Sequence, residues 1–333
     1  MAALRRFNVS LATAAPTSTS VCGGLVTAIP MTSIQCSLVA GQVREVAAYA
    51  SGDAAGPGRT LFLEWKQYGN SADEKAQETR TRNLASLLQR LTVAEGLCIP
   101  QCLGYAADHR NYRTCLIFKH PVGASEQPET LARLLSSNGV PSLGDRFKLA
   151  LNLAASLSAM HTSGWLHKQL SSYNVLFFSS TIAAGDNLVD GWSIPPPFIV
   201  GFEYSRPNEE DADSEAVRGN PHQQPYRHPS SQGPLRKRFC RAFDIYSLGV
   251  MLVEIGYWRP ISQFIKDSYT PEKLLHHLIT VHTPRLPPKT GALYAQVVRS
   301  CLEGALANPA LDEAQSQRVF YWSVVSELER LVV

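Results

Sequence analysis

Residues 164–178 read GWLHKQLSSYNVLFF, and the fold turns on this stretch and on what flanks it. Upstream, Ser142 with Asp145 opens a helix in which Phe147, Ala150, Leu151, Ala154, Leu157 and His161 fall on one face. Downstream, FDIYSLGVMLVEIG at 243–256 is apolar on nearly all sides, which suits a helix inside a core. Tyr321, Val324, Val325, Leu328, Leu331 and Val332 trace a further buried helical stripe. Irregular stretches lie between, at 179–197 with Pro195, Pro196 and Pro197, and at 204–241.

Further towards the N-terminus the pattern changes. SIQCSLVA, EVAAYA and RTLFLEWKQY, between residues 33 and 68, are short apolar runs broken by Gly and Ser and read as strands. In the next segment Ser71 and Glu74 have capping-box spacing, and Leu84, Leu87, Leu88 and Leu91 recur as one helix face. CLGYAADHRNYRTCLIFKHP reads as a two-stranded hairpin. The first third is therefore expected to be a sheet carrying one helix, and LARLLSSNG at 131–139 to begin a mainly helical remainder.

The chain has 333 residues, enough for two folding units or one bilobed one. Hydrophobic residues make up 44% and charged residues 18%, which argues against overall disorder. A net charge of +3 is too small for a nucleic-acid or anionic-membrane footprint. No run reaches the ~20 apolar residues that span a bilayer. Seven cysteines without a framework read as reduced intracellular thiols, Cys98 and Cys102 as buried thiols and not a metal half-site. Residues 1–44 hold arginines and no acids, as a mitochondrial presequence does, but without spaced arginines on a clear amphipathic helix. Residues 1–33 are expected to be an N-terminal extension without stable structure, and the protein to be cytoplasmic, with mitochondrial import as the other reading.

Four motifs occur in order. LHKQLSSYNVLFF resembles the catalytic loop of protein kinases, IVGFEY at 199–204 stands where D-F-G is found, YRHPS at 226–230 where A-P-E is found, and FDIYSLGVMLVEI resembles the buried helix beyond. The wording is similar to the degenerate kinase-like domains of filamentous fungi, associated with HeLo-type or prion-inhibition N-terminal domains and with incompatibility and signalling. The resemblance implies an α+β, bilobed protein kinase-like fold: a small antiparallel sheet lobe with one helix over 34–118 and a larger, mainly helical lobe over 119–333. A HeLo-like helical bundle is not read ahead of it.

What the resemblance implies for chemistry can be asked residue by residue. Phosphoryl transfer needs a lysine on the phosphates, metal-binding carboxylate and asparagine, and a base for the substrate hydroxyl. Lys66 stands in the lysine's place, its alternative being a solvated strand lysine. No acid lies at 81–85, so its partner is either Glu78, one turn earlier, or none, with Glu78 on a solvated helix face. Gln169 replaces the base, and a carboxamide cannot take a proton near neutral pH. His167, Lys168, Gln169 and Asn174 are thus a degenerate loop, with Ser171 where a second lysine is expected. Gly201 replaces the metal aspartate, which leaves Asn174 and Glu203 as the candidate metal ligands, a poor set for a hard cation. Only Gly41 remains of the phosphate loop. Glu64, two residues before Lys66 on the same strand face, points into the adenine slot and requires a partner in Lys66 or Arg44.

His167, Phe202 and Leu176 match residues that join the two lobes, and Asp244 matches the acid that holds the loop backbone or, more simply, caps its helix. The acids of NEEDADSE (208–215) are solvated or dock, as phosphate mimics, on Lys168, Arg227 or the basic run LRKRFCR (235–241). The resulting expectation is a pseudokinase without cofactor that binds protein partners and no nucleic acid. Its rivals are an unorthodox ATP-dependent kinase using Mg²⁺, Lys66, Asn174 and Glu203, and a module whose emptied cleft takes another small ligand.

Overall fold

A computed structural model describes residues 26–36, 43–49, 59–69, 73–92, 96–124, 127–137, 139–178, 194–208, 221–266, 268–304 and 312–332. The architecture is mixed α and β. Strands β1 (Ile34–Gln35), β2 (Arg44–Tyr49), β3 (Arg59–Gln67), β4 (Cys102–Asp108) and β5 (Arg113–Lys119) form one antiparallel curled sheet in the order β1-β2-β3-β5-β4. Alternation along β3 puts Phe62, Glu64 and Lys66 on one face and Leu61, Leu63 and Trp65 on the other. Residues 61–66 are all buried, so β3 is covered on both faces, Glu64 and Lys66 included.

The outer face is covered by residues 26–36. Ile29 donates its amide to Tyr105 O at 2.8 Å, and Ile34, Ala47, Leu61, Leu63, Trp65 and Ile117 form a separate core there. A Cβ at Gly104 would stand 2.2 Å from Thr27 O, so this close approach needs glycine. The expected boundary at 33/34 thus falls inside a packed layer; residues 1–25 lie outside the described residues.

The inner face carries helix α1 (Glu74–Leu91), which buries Leu84, Leu87, Leu88 and Leu91 as the heptad-like spacing predicts. Its start differs from expectation. The helix begins after Asp73 with Glu74 as its first residue, so Glu74 cannot be the third residue of a capping box, and Ser71 lies outside the described residues. By contrast Ser142 caps α3 (Leu143–Thr162) as expected, its Oγ accepting the Asp145 amide at 3.1 Å; the short α2 (Leu131–Leu135) precedes it.

After α3 come β7 (Trp165–Leu166), β8 (Val175–Phe177), β9 (Pro197–Ile199) and β10 (Arg206–Pro207), with β6 (Glu129–Thr130) pairing β8. Helix α4 (Arg241–Tyr257) is enclosed, with Phe243 to Gly256 all buried. The remaining helices α5 (Pro271–His277), α6 (Pro287–Leu302), α7 (Glu313–Phe320) and α8 (Ser326–Glu329) pack around it. Gly249 and Gly256 let α6 and its lead-in approach, since added Cβ atoms would lie 2.9 Å from Cys301 Cβ and 2.8 Å from a Leu286 methyl. Cys98, Cys102, Cys115 and Cys301 are buried free thiols, and burial pushes Cys98 and Cys102 up to about 12. No described helix is long and apolar enough to cross a membrane.

Candidate functional site

The loop 167–174 is held from below by Asp244. Its carboxylate accepts the amides of His167 and Lys168, each at 2.8 Å, and meets His161 Nε2 at 3.1 Å. Asp244 is wholly buried in the first turn of α4, and Cys240, not Asp244, is the N-cap. Lys168 has φ +71, a strained value for a side-chain-bearing residue, which these anchored amides hold in place. Its ammonium lies 5.9 Å from the Phe239 ring. His167 accepts the Gln169 amide on Nδ1 and packs against Phe202 at 5.1 Å; burial lowers it to about 4, so the ring is neutral. Phe202 in turn meets Phe118 of the sheet at 6.2 Å, and Leu176 is buried on β8.

Between this loop and the sheet lies a compact charge network. Arg44 on β2 is the direct cross-strand neighbour of Glu64 on β3. Its guanidinium donates to Asn174 Oδ1 at 2.5 Å and to Tyr173 O at 3.4 Å. Asn174 then donates through Nδ2 to Gln169 O at 2.6 Å, so both ends of its amide are engaged. Glu64, 2% exposed, accepts the Gly201 amide at 2.9 Å, and the amides of Phe202 and Glu203 also favour its charged form. Successive amides aimed at one point form an anion seat, and here the anion is the chain's own side chain.

Glu64 therefore does not enter an apolar slot as expected. It is seated on backbone donors with Arg44 beside it, while burial still raises its carboxyl above the ordinary value. Glu203 is pushed up to about 7, first by burial and then by neighbouring Glu64, while Arg44, Lys66 and the hydrogen-bonding Gln169 pull it down. Gln169 is thus buried and favours the charged form of a carboxyl 34 residues away instead of facing open solvent.

Lys66 is 8% exposed, with Nζ 4.0 Å from the centroid of the Tyr204 ring. Glu78 meets Arg82 at 3.1 Å and the Tyr105 hydroxyl at 3.3 Å, on the helix flank and not at Lys66. Thr81, on the face turned to Lys66's strand, hydrogen-bonds Thr114 at 2.9 Å. Arg80 donates to Tyr204 O and Ser205 O, tying α1 to the segment after Gly201. The space enclosed by Glu64, Lys66, Thr81, Phe202 and Glu203 holds about 20 Å³, room for one water.

The donors do not fit a divalent cation. Asn174 has no free oxygen, Glu203 is turned to Gln169, and Gly201 supplies no ligand. Nor is a carboxylate at 201 accommodated: a Cβ there would lie 2.4 Å from Asn174 Nδ2, at a φ of +92. Among the described residues no cluster of three metal-binding side chains exists. Gly41 and residues 209–215 lie outside the described residues, so the phosphate loop and the acidic docking segment are named only.

Sequence reasoning offered Arg44 as one of two partners for Glu64 and missed its bond to Asn174, 130 residues away. It also missed the influence of Gln169 on Glu203 and the Lys66–Tyr204 contact, neither of which has a local signal. No curated protein matches the chain. A family model described as a domain of unknown function, DUF7580, matches residues 61–333, which include every site residue above except Arg44. Since that match covers most of its length, the chain belongs to the DUF7580 family.

Proposed function

We propose that this chain is a protein kinase-like module of bilobed fold that has lost phosphoryl transfer and works by binding protein partners, a pseudokinase. The observation that carries the reading is the occupation of the cleft by its own side chains. Arg44 sits on Asn174, where the resemblance calls for a cation, and Glu64 sits on the Gly201 amide, where it calls for a metal-binding carboxylate. A nucleotide would have to break a buried, hydrogen-bonded charge network, which costs several kcal/mol before any gain. The module is expected to be cytoplasmic and to need no cofactor.

Thermal melting with ATP, in Mg²⁺ and in EDTA, tests this. A ligand at 100 times its Kd raises stability by about 2.7 kcal/mol. No shift is expected. A Mg²⁺-dependent shift together with phosphate transfer abolished by Lys66→Ala would overturn the reading.

One observation favours the rival, an unorthodox ATP-dependent kinase. Glu203, pushed up to about 7, titrates where a general base works best and lies beside Lys66. That reading requires transfer that follows an ionisation near pH 7 and is lost in Glu203→Gln.

A further inference from the structure

We propose that the face built by residues 257–289 is a docking surface for an extended acidic segment of a partner protein. Five rings run along it without a break. Tyr269 stacks on His277 at 4.8 Å, His277 lies 6.3 Å from His282, His282 meets Phe264 at 4.9 Å, and Phe264 meets Tyr257 at 5.2 Å. The contour of that row is about 20 Å, the reach of about six residues of extended chain at ~3.3 Å each. All five rings are half-buried, so they are fixed in place and still present an edge.

Cations flank the row. Lys273 Nζ lies 5.2 Å from the Tyr269 ring and Lys289 Nζ 5.8 Å from Tyr257, while Lys266 and Arg285 are exposed beside them. None of these four pairs with a carboxylate among the described residues, whereas Arg82, Arg133, Arg299 and Arg330 elsewhere on the surface all do. The one described carboxylate between 257 and 289 is Glu272, in the first turn of α5; Asp267 lies outside the described residues. A set of unopposed cations over fixed rings is complementary to carboxylates.

The backbone brings the row together. A π-helical stretch, Leu278–His282, follows α5, and such wide turns often mark functional positions. It sets His282 beside His277, and the Tyr257 hydroxyl pins it by donating to His282 O at 2.7 Å.

Ring geometry selects a peptide over single-stranded nucleic acid. Tyr269 and His277 are stacked on each other at 11°, and Lys273 and Lys289 lie over the Tyr269 and Tyr257 rings, so faces that would stack on bases are taken by neighbours.

The test uses a fluorescein-labelled hexaglutamate peptide and a labelled six-nucleotide oligouridylate, read by anisotropy at low and at 0.3 M salt with the whole chain. Saturable peptide binding is expected, weakened at least tenfold by K273E/K289E, similarly by K266E/R285E, and within twofold of wild type for R133E. Melting curves establish that the variants are folded. No peptide binding, binding by the two charge-reversed variants as tight as that of the wild type, or tighter binding of the oligouridylate would overturn the proposal.

Discussion

Replacing Arg44 by alanine should expose how much the cleft depends on its internal charges. The change removes a charge-assisted bond to Asn174, worth about 1.5–3 kcal/mol. It also removes the positive charge that favours ionised Glu64, and a buried charge left uncompensated costs a further few kcal/mol. Arg44 is half-buried, so solvent recovers part of this, and a net loss of about 2–4 kcal/mol at pH 8 is expected. The loss should be smaller at pH 5.5. Burial already raises the Glu64 carboxyl from 4.5, so the native state holds a proton that the unfolded chain releases, and stability falls as pH rises through that window. Without Arg44 the folded value rises further, and protonation rescues the site at low pH.

Glu64→Gln keeps an acceptor for the Gly201 amide but removes the charge. In that background Arg44→Ala should cost only the Asn174 bond, leaving a coupling of about 1–2 kcal/mol between the two sites. Urea unfolding of the four proteins at pH 5.5 and pH 8, with linear extrapolation, measures it. Additivity within about 0.5 kcal/mol at pH 8, or an Arg44→Ala loss that does not change with pH, would refute the network.

Gly201→Asp should not create a metal site. Its φ of +92 and the 2.4 Å approach to Asn174 Nδ2 predict a loss of about 2–4 kcal/mol and no Mg²⁺-dependent melting shift; a shift of several degrees with Mg²⁺ would count against the fit argument. Glu254, wholly buried, accepts the Tyr226 hydroxyl and the Ile261 amide at 2.7 Å each, and burial pushes it up to about 8. Between its ordinary 4.5 and about 8 the native state binds the extra proton, so this group's contribution declines by about 1.4 kcal/mol per pH unit as pH rises. Glu254→Gln does not titrate and should flatten unfolding free energy between pH 5 and 8; an unchanged slope would show that another group is responsible. Asp244→Asn keeps the size but weakens acceptance from two loop amides, and faster amide exchange at His167 and Lys168 is expected, with unchanged exchange as the contrary result.

Elements were legible where the signal is local. The period-2 run of β3 and the spacing of Leu84, Leu87, Leu88 and Leu91 follow from backbone geometry alone, and Ser142 with Asp145 marks a helix start within four residues. The start of α1 was misplaced because Ser71 with Glu74 satisfies a spacing rule that the chain beyond Asp73 does not use. Residues 26–33 looked like an extension because nothing in their composition shows that Gly104, some 75 residues on, leaves a seat for Thr27. In the site, the identities of Gln169, Gly201 and Glu64 carry the expectation that a base and a metal carboxylate are missing.

How these residues are partnered could not be read from the chain. Residue type and neighbours a few positions apart were enough for the mixed sheet-and-helix order and for the buried helix around 243–256. Tertiary structure alone decided that Arg44 closes on Asn174 and Glu64 on Gly201, across 130 and 137 residues. The physical reason is that charges leave water only where packing brings a partner and its hydrogen bonds within about 3 Å, and that distance is a property of the folded surface, not of sequence spacing.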